Sequence, residues 1–254
     1  MSRTLVIGEM GSTHEGNLDL MLRLIDVAAD CGVDCVKNQW VSSPERLCER
    51  RRAGDYLASY TKLAYPLGAH IVCRDHANAR GLKYATSIYL PGDAALVAPF
   101  VDYLKISSFE AGDKALIHEA LSAVGPFRVV VSHGMGGDVW SAACQNLLCV
   151  SSYPAPIDAA SLGRITNEDF DGFSDHSRDV RVGAWAVCAG AEILETHFRL
   201  DDCDPENKDY AVSFTPAEFK EYIANIRAAE LALGDGQKRI AECEKPMLRF
   251  RANG

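Results

Sequence analysis

Residues 4–9 read TLVIGE, a short run of apolar and β-branched residues that ends on a carboxylate. A run of this length and composition is typical of a strand that is buried on both faces. Longer stretches with helical spacing of apolar residues lie between runs of this kind; the clearest helices are predicted over 18–31 and over 215–233, where Thr215 is the expected N-cap. The predicted strands are 4–9, 33–38, 82–87, 101–107, 127–132, 146–151, 169–174 and 191–197.

Alternation of strands and helices favours parallel strands joined by crossover helices. The length of 254 residues fits one such unit, so we predict an α/β fold, a single (β/α)₈ TIM barrel that spans residues 1–254 as one domain. A doubly wound open sheet is the alternative. Residues 40–66 are predicted to form a loop plus a helix, and the run Arg50-Arg51-Arg52 is expected to face solvent.

Composition and charge argue against several classes of binding partner. The net charge of −9 argues against nucleic acid and against anionic membrane surfaces. No stretch approaches the ~20 apolar residues of a membrane span, and the N-terminus has no signal-peptide pattern. Nine scattered cysteines without zinc-finger spacing are typical of reduced thiols, so we expect a cytoplasmic protein.

Polar side chains follow or end every predicted strand. In a (β/α)₈ barrel these carboxyl ends meet at one face, where active sites lie. A polar group placed within a strand costs on the order of 2–7 kcal/mol when it is unsatisfied, so eight such ends predict a polar ligand. The candidates at these ends include Glu9, Lys37, Gln39, Ser87, Lys105, Ser108, Glu110, Ser132, Tyr153, Ser174, His176 and His197.

Several ordered segments match a known family. They are IGEMGSTHEGN (7–17), VDCVKNQ (33–39), YLKISSFE (103–110), VVVSHGM (129–135), SSYPAP (151–156), GFSDHS (172–177) and ILETHF (193–198). In this order they resemble the motifs of the sialic acid synthases, which include the N-acetylneuraminate, legionaminate and pseudaminate synthases. The resemblance covers nearly the whole chain.

The resemblance implies a reaction and a role for each residue. Phosphoenolpyruvate would condense with an aldose or amino-sugar aldehyde, giving a sialic-acid-like 2-keto-3-deoxy sugar acid and phosphate. Manganese is the expected metal, with Mg²⁺, Co²⁺ and Zn²⁺ as alternatives. The implied metal ligands are His176 and His197; the phosphoenolpyruvate-binding residues are Lys105, Ser87, Ser108, Ser132 and Ser174; the sugar-binding residues are Gln39, Tyr153 and Asp209; and the catalytic residues are Glu9, Lys37 and Glu110.

The chemistry of these side chains agrees with the implied roles. Two neutral imidazoles at the ends of adjacent strands suit a divalent ion and leave its other positions open. Two lysines on strands can give charge-assisted hydrogen bonds to a phosphate ester. Glu9 has three open alternatives, namely a carboxylate that orients the sugar or stabilises positive charge, a neutral acid, and a structural partner of Lys37. Asp175 and Glu195 are expected either to fix a histidine tautomer or to be neutralised by lysines.

Three departures from the family leave the acceptor open. Thr13 and His133 replace the usual asparagine and threonine of their motifs, and residues 40–66 do not match the family's loop. The third is the end of the chain at Gly254, from which we predict a barrel domain that lacks the family's C-terminal antifreeze-like domain. Since that domain caps the active site of the partner subunit, we expect either a homodimer or a separate lid protein.

Two other functions compete with the synthase. One is a metal-dependent aldolase or lyase of a pyruvate-containing sugar acid, which would use pyruvate and release no phosphate. The other is a non-catalytic barrel that acts as a binding module, which would have lost metal ligands or phosphate-binding groups.

Overall fold

A computed structural model describes residues 3–136, 139, 141–166 and 170–252. Eight parallel strands form a closed barrel in which each strand pairs with the next along the chain and the last pairs with the first. The predicted (β/α)₈ barrel is confirmed, and the observed strands differ from the predicted ones by a few residues at their ends. They are β1 Leu5–Glu9, β2 Cys35–Gln39, β3 Lys83–Ile88, β4 Tyr103–Ile106, β5 Val129–His133, β6 Gln145–Cys149, β7 Gly172–Asp175 and β8 Ile193–His197.

Helices surround the barrel. They are α1 Leu18–Cys31, α2 Pro44–Arg51, α3 Leu57–Leu63, α4 Leu67–Ala79, α5 Asp93–Val97, α6 Lys114–Val124, α7 Gly163–Thr166, α8 Val182–Cys188 and α9 Pro216–Leu233, with 3₁₀ turns at Gly54–Tyr56, Ala98–Phe100, Ile157–Ala159 and Glu242–Phe250. The helices predicted over 18–31 and 215–233 are therefore present as α1 and α9. A capping box of Thr215 and Glu218 begins α9 and satisfies its first free N–H groups. Residues 40–66 hold two helices and a 3₁₀ turn, which is more structure than the predicted loop plus a helix.

The interior of the barrel is built in layers, because alternate residues of a strand point to the same side. The lower layer is an apolar plug of Ile7, Cys35, Ala85, Val130, Leu147 and Ile193, against which Tyr103 also packs. Two residues further along their strands stand Glu9, Lys37, Ser87, Lys105, Ser132, Cys149, Ser174 and Glu195. The strands therefore change from apolar to polar within one step, toward their carboxyl ends.

The residues that alternate with these two layers along the strands face outward into the main core. Val6, Val36 and Leu104 lie there with apolar side chains of the helices, among them Phe219 and Ile226 of α9. This shell between strands and helices contains most of the buried apolar residues, and it fixes where each strand ends. The strands that carry the polar layer are thus anchored by apolar packing on their outer face.

The cysteines and the helices bear on two further features of the chain. All nine cysteines are free, in keeping with reduced thiols. Within the described residues, no helix combines the length and the apolar composition that a bilayer span requires.

Gly172 provides a test of the barrel geometry. A Cβ added at Gly172 would lie 1.9 Å from the carbonyl oxygen of Ile193 on β8, a contact that backbone cannot relieve without moving. We expect Gly172→Ala to lower the free energy of unfolding by about 3 kcal/mol, the upper part of the usual range for overpacking. Urea unfolding measures the change.

Gly68→Ala is the matched control, because Gly68 lies in α4 with open space around its Cβ position. That substitution should leave stability unchanged or raise it slightly. Equal stability of the two variants would contradict the close pairing of β7 with β8.

Candidate active site

A cavity of about 1050 Å³ opens at the carboxyl ends of the strands, above the polar layer. Every strand contributes at least one lining side chain. All thirteen residues named from the sequence line this one cavity: Glu9, Lys37, Gln39, Ser87, Lys105, Ser108, Glu110, Ser132, Tyr153, Ser174, His176, His197 and Asp209. The predicted convergence of two imidazoles and two ammonium groups is therefore present.

Four buried charges form the floor of the cavity. The Lys37 ammonium contacts the carboxylate of Glu9 and lies 3.7 Å from one oxygen of Glu195, and it donates a 2.8 Å hydrogen bond to Ser87. Lys105 Nζ lies 3.7 Å from the other oxygen of Glu195. One carboxylate therefore stands between two lysines whose side chains are each only 4% exposed.

The neighbours of these groups decide their protonation. Burial alone would lower the pKa of Lys37, but Glu195 and Glu9 reverse this and raise it. Burial lowers the pKa of Lys105, and the attraction of Glu195 offsets only part of that. Burial would raise the pKa of Glu195, whereas Lys105 and Lys37 together hold it below its usual range. The floor thus contains an ionised carboxylate that two lysines share.

Lys105 and Ser132 retain capacity to bind an anion. Lys105 donates a hydrogen bond only to the carbonyl oxygen of its neighbour Ile106, at 2.8 Å, among the described residues. The buried Ser132 hydroxyl has no hydrogen-bond partner within the same part of the chain. A buried hydroxyl without a partner is costly, so its place in the lining indicates a polar ligand.

Glu9 takes part in both the structural and the functional arrangement. It forms an ion pair with Lys37, which was one of the three alternatives that the sequence left open for Glu9. Its other carboxylate oxygen accepts hydrogen bonds from the Gln39 amide and from the backbone N–H of Gly11, each at 3.0 Å. Glu9 therefore orients Gln39 at the cavity wall while it neutralises Lys37.

The two histidines end neighbouring strands and their ring centroids are 5.5 Å apart. Nδ1 of His176 lies 2.8 Å from the carbonyl oxygen of Val150. Because a carbonyl only accepts, this nitrogen carries the proton and the Nε2 lone pair is left for a ligand. Burial, with the nearby His197, lowers the pKa of His176 to about 4, so its ring is neutral at neutral pH.

The spacing of the two rings fits a divalent ion. An ion about 2.1 Å from one nitrogen of each ring would hold the centroids roughly 5 Å apart, close to the observed separation. Nδ1 of His197 is buried and lacks a hydrogen-bond partner in the described chain. No cluster of three or more histidine, cysteine or acidic side chains in that part of the chain is arranged to hold a metal. The residues therefore fit an ion that takes two protein ligands and leaves its other positions open.

Tyr153 and Asp209 flank the histidines. The Tyr153 ring lies 4.3 Å from that of His176, centroid to centroid. The carboxylate of Asp209 accepts hydrogen bonds of 2.7 Å from both the backbone N–H and the hydroxyl of Ser12. Gly11 allows this approach, because its φ is +56° and a Cβ there would lie 2.6 Å from the Asp209 carboxylate. Loop 11–16 and the loop after β8 are thereby joined above the histidines.

The prediction that Arg51 faces solvent is wrong. Its side chain is only 17% exposed and lines the cavity, where it donates two 2.8 Å hydrogen bonds to the carboxylate of Glu110. The ring of Tyr89 lies 4.7 Å from its guanidinium carbon. Arg50 also lines the cavity and pairs with Asp113 at 2.5 Å. The physical reason is that α2 folds back over the barrel mouth, which no local pattern in the run signals.

The contacts of Asp175 match neither alternative predicted for it, whereas those of Glu195 match the second. Asp175 accepts hydrogen bonds from Tyr222 of α9 and from the backbone of Ser177, so it ties the β7 end to a helix. Glu195 is neutralised by the two lysines. Gly137, one of the loop glycines after β5 that could permit close backbone approach to an anion, lies outside the described residues.

Other lining residues were not named from the sequence. They include Cys149, Tyr60, Tyr89 and Lys208. The period of two along β6 would have indicated Cys149, because it follows the apolar plug residue Leu147 by two positions. Tyr60 and Lys208 come from a helix and a loop that carry no such signal.

Comparison with known proteins agrees with this geometry. An N,N'-diacetyllegionaminic acid synthase of Campylobacter jejuni is 28% identical over 96% of this chain and 82% of its own length. An uncharacterised protein of Methanocaldococcus jannaschii is 29% identical over 96% of this chain and 76% of its own. The crystal structure of an N-acetylneuraminic acid synthetase from Leptospira borgpetersenii, in complex with citrate, superposes with a TM-score of 0.84 at 25% identity, covering 98% of this chain and 92% of that one.

The NeuB family model matches residues 24–238, which include seven of the eight strands and the floor lysines and histidines. The barrel, its polar layer and this match agree, and the chain belongs to the NeuB family.

Proposed function

We propose that this protein condenses phosphoenolpyruvate with an aldose or amino-sugar aldehyde, in a reaction that depends on a divalent metal, to give a sialic-acid-like 2-keto-3-deoxy sugar acid and phosphate. One observation carries the proposal: His176, His197, Lys37 and Lys105 converge on a single cavity at the barrel mouth. Membership in the NeuB family, whose relatives include sialic and legionaminic acid synthases, supports the same chemistry.

The donor end of the cavity is assigned to the serines and Lys105. Ser87, Ser108, Ser132 and Ser174 line the same cavity as the Lys105 ammonium and offer hydroxyl donors to a ligand there. Charge-assisted and hydroxyl hydrogen bonds of this kind suit the phosphate and carboxylate of phosphoenolpyruvate. Ser151 orients one of these donors, because its hydroxyl lies 2.8 Å from that of Ser108.

The acceptor end is assigned to Gln39, Tyr153 and Asp209. His176 and His197 would hold the metal, with Mn²⁺ as the expected ion. When bound, the ion supplies Lewis acidity toward the aldehyde oxygen. Asp209, fixed by Ser12, can accept a hydrogen bond from a sugar hydroxyl beside that aldehyde.

The proposed condensation proceeds in two steps. The π electrons of phosphoenolpyruvate form a bond between its carbon 3 and the aldehyde carbon, and the aldehyde oxygen gains a proton. Water then adds to carbon 2, the bond from carbon 2 to the phosphate oxygen breaks, and the water oxygen becomes the keto oxygen. Of the two protons that water loses, one balances the proton gained by the aldehyde oxygen and the other leaves on inorganic phosphate. Glu9 supplies negative charge near the positive charge that develops at carbon 2.

Lys37 and Glu110 are each held in an ion pair, and we assign them supporting roles in this reaction. Lys37 holds Glu9 and shares Glu195 with Lys105, so it fixes the charge distribution of the floor. The two oxygens of Glu110 are occupied by Arg51 and Ser107. We therefore assign Glu110 a positioning role toward Arg51.

Phosphate release tests the proposed reaction. Protein incubated with phosphoenolpyruvate, Mn²⁺ and a panel of aldoses and amino sugars should liberate phosphate with at least one acceptor, in proportion to the keto acid formed. A colorimetric phosphate assay and mass spectrometry of the product measure the two. Product formed from pyruvate without phosphate release would favour the aldolase, and no product with any acceptor would contradict the synthase.

Metal binding tests the two histidines. His176→Ala and His197→Ala should each weaken Mn²⁺ binding by at least about 100-fold, because each removes one of two protein ligands. Isothermal titration calorimetry gives the affinity, and circular dichroism verifies the fold. His118→Ala is the control, since His118 is exposed on α6 and should leave the affinity unchanged. Unaltered Mn²⁺ affinity in both test variants would refute the assignment.

Lys105→Met tests the donor end. Loss of one charge-assisted contact should raise the Kd for phosphoenolpyruvate on the order of 10- to 100-fold. Glu195 keeps Lys37 as a partner, so the fold should persist. Lys220→Met, at an exposed position of α9, is the matched control. A Kd in Lys105→Met equal to that of the control would remove Lys105 from the phosphoenolpyruvate site.

A further inference from the structure

Loop 11–16, which follows β1, is bonded to two residues at the acceptor end of the cavity. Ser12 donates hydrogen bonds to the Asp209 carboxylate from its backbone N–H and from its hydroxyl, each at 2.7 Å. The N–H at the start of the loop donates a 3.0 Å hydrogen bond to Glu9, and the same oxygen of Glu9 accepts one from the Gln39 amide. The position of the loop therefore sets that of Asp209 directly and that of Gln39 through Glu9.

A buried histidine anchors the far end of the loop. His14 is fully buried and lies outside the lining of the cavity. Its Nδ1 accepts a 3.3 Å hydrogen bond from the backbone N–H of Gly16, and the hydroxyl of Tyr65, between α3 and α4, contacts the same nitrogen. Because Nδ1 is an acceptor it carries no proton, so the Tyr65 hydroxyl is the donor. Burial lowers the pKa of His14 to about 4, which keeps this acceptor available at neutral pH.

Two further contacts join the loop to the end of α3. Lys62 forms a 3.2 Å ion pair with Glu15. A Cβ added at Gly16 would lie 2.7 Å from the carbonyl oxygen of Lys62, so the two backbones are in close contact here. The Lys62 side chain is 65% exposed, and an ion pair with such exposure contributes little. The partly buried hydrogen bond of Tyr65 is therefore the side-chain contact expected to hold the loop in place.

The residues assigned to phosphoenolpyruvate lie on other strands. Lys105, Ser132 and Ser174 belong to β4, β5 and β7, none of which pairs with β1. A shift of the loop would thus alter the acceptor end of the cavity and leave the donor end in place. Tyr65 does not line the cavity, so its effect on a sugar would have to pass through the loop. It also belongs to residues 40–66, the segment that departs from the family pattern.

We propose that Tyr65 is a positioning residue for the sugar acceptor, which acts through loop 11–16 on Asp209. His14 carries the contact into the loop, and the loop also orients Gln39. This inference rests on the proposed function and adds to it a determinant of acceptor affinity that lies outside the cavity. A single hydrogen bond makes a modest net contribution, so its loss should weaken use of the acceptor by a limited factor and not abolish turnover.

The variant Tyr65→Phe tests the proposal, because it removes the hydroxyl and keeps the ring. The acceptor in the assay is N-acetylmannosamine, or another sugar of the panel that releases more phosphate. The KM for this acceptor should rise about three- to tenfold, while the KM for phosphoenolpyruvate stays unchanged. A merely structural contact would affect both substrates alike. An unchanged KM for the acceptor, or an equal rise for both substrates, would overturn the inference.

Tyr103→Phe is the matched control. The Tyr103 hydroxyl also takes part in a hydrogen bond, which Lys83 Nζ donates at 3.0 Å, but at the opposite end of the barrel. Its loss should leave both KM values unchanged, and circular dichroism verifies the fold of both variants.

A double-mutant cycle tests the route of the effect. Asp209→Ala should itself raise the KM for the acceptor. Addition of Tyr65→Phe to this variant should raise the KM by a clearly smaller factor than in the native protein, because the carboxylate that the loop positions is gone. An added increase as large as that in the native protein would overturn the route through Asp209.

Hydrogen exchange tests the same link without any substrate. The Ser12 N–H is bonded to the Asp209 carboxylate, and the Ser213 N–H is bonded to the Asp209 carbonyl oxygen at 3.1 Å. Exchange at these two amides should be at least about threefold faster in Tyr65→Phe than in the native protein and the control variant, with exchange in β5 unchanged. Unchanged exchange at both amides would overturn the inference. Absence of turnover with every acceptor would contradict the synthase, while the exchange measurement would still decide whether Tyr65 holds the loop.

Discussion

Lys37, Lys105, Glu9 and Glu195 are buried inside the barrel, and each has a side chain of opposite charge within reach. An ion taken out of water loses several kcal/mol of hydration, and removal of one partner of a buried pair typically costs about 3–5 kcal/mol. Glu195 faces both lysines at 3.7 Å, so it neutralises them without a close hydrogen bond to either ammonium group. The same balance that keeps the unliganded floor stable therefore makes it receptive to an anion.

This balance depends on the layered interior of the barrel. Directly below the charges, the apolar plug closes the barrel, with Ile7 under Glu9, Cys35 under Lys37 and Ile193 under Glu195. Water can therefore reach the charged layer only from the mouth, and electrostatic attraction within it is stronger than at an exposed surface. A one-residue slip of any strand would exchange its polar and apolar faces, so the pairing register and the chemistry of the site are fixed together.

The sequence predicted the part of the molecule in which local pattern and position coincide. Strands such as TLVIGE carry a polar residue at their carboxyl end. Because the carboxyl ends of all strands of a (β/α)₈ barrel meet at one mouth, Glu9, Lys37 and His197 could be placed there without knowledge of any helix packing. Arg51 could not be placed in this way. Its position depends on how α2 and α3 fold over the mouth and on Glu110, 59 residues away, which no helical or strand period records. The strand ends were also predicted only to within a few residues, because apolar runs continue into turns.

The site therefore has two halves with different physical origins. The floor is held by strand register and by packing against the helices, so its lysines, serines and histidines have little freedom to shift. The outer wall of the cavity, which includes Tyr60, Arg51 and Lys208, is held by side-chain contacts among loops and short helices. Substitutions in α2 or in the loop after β8 can reshape this wall without moving the strand backbone on which the reacting groups stand. The departures of residues 40–66 from the family pattern fall in this outer half of the cavity, and the strand-borne floor is left unchanged by them.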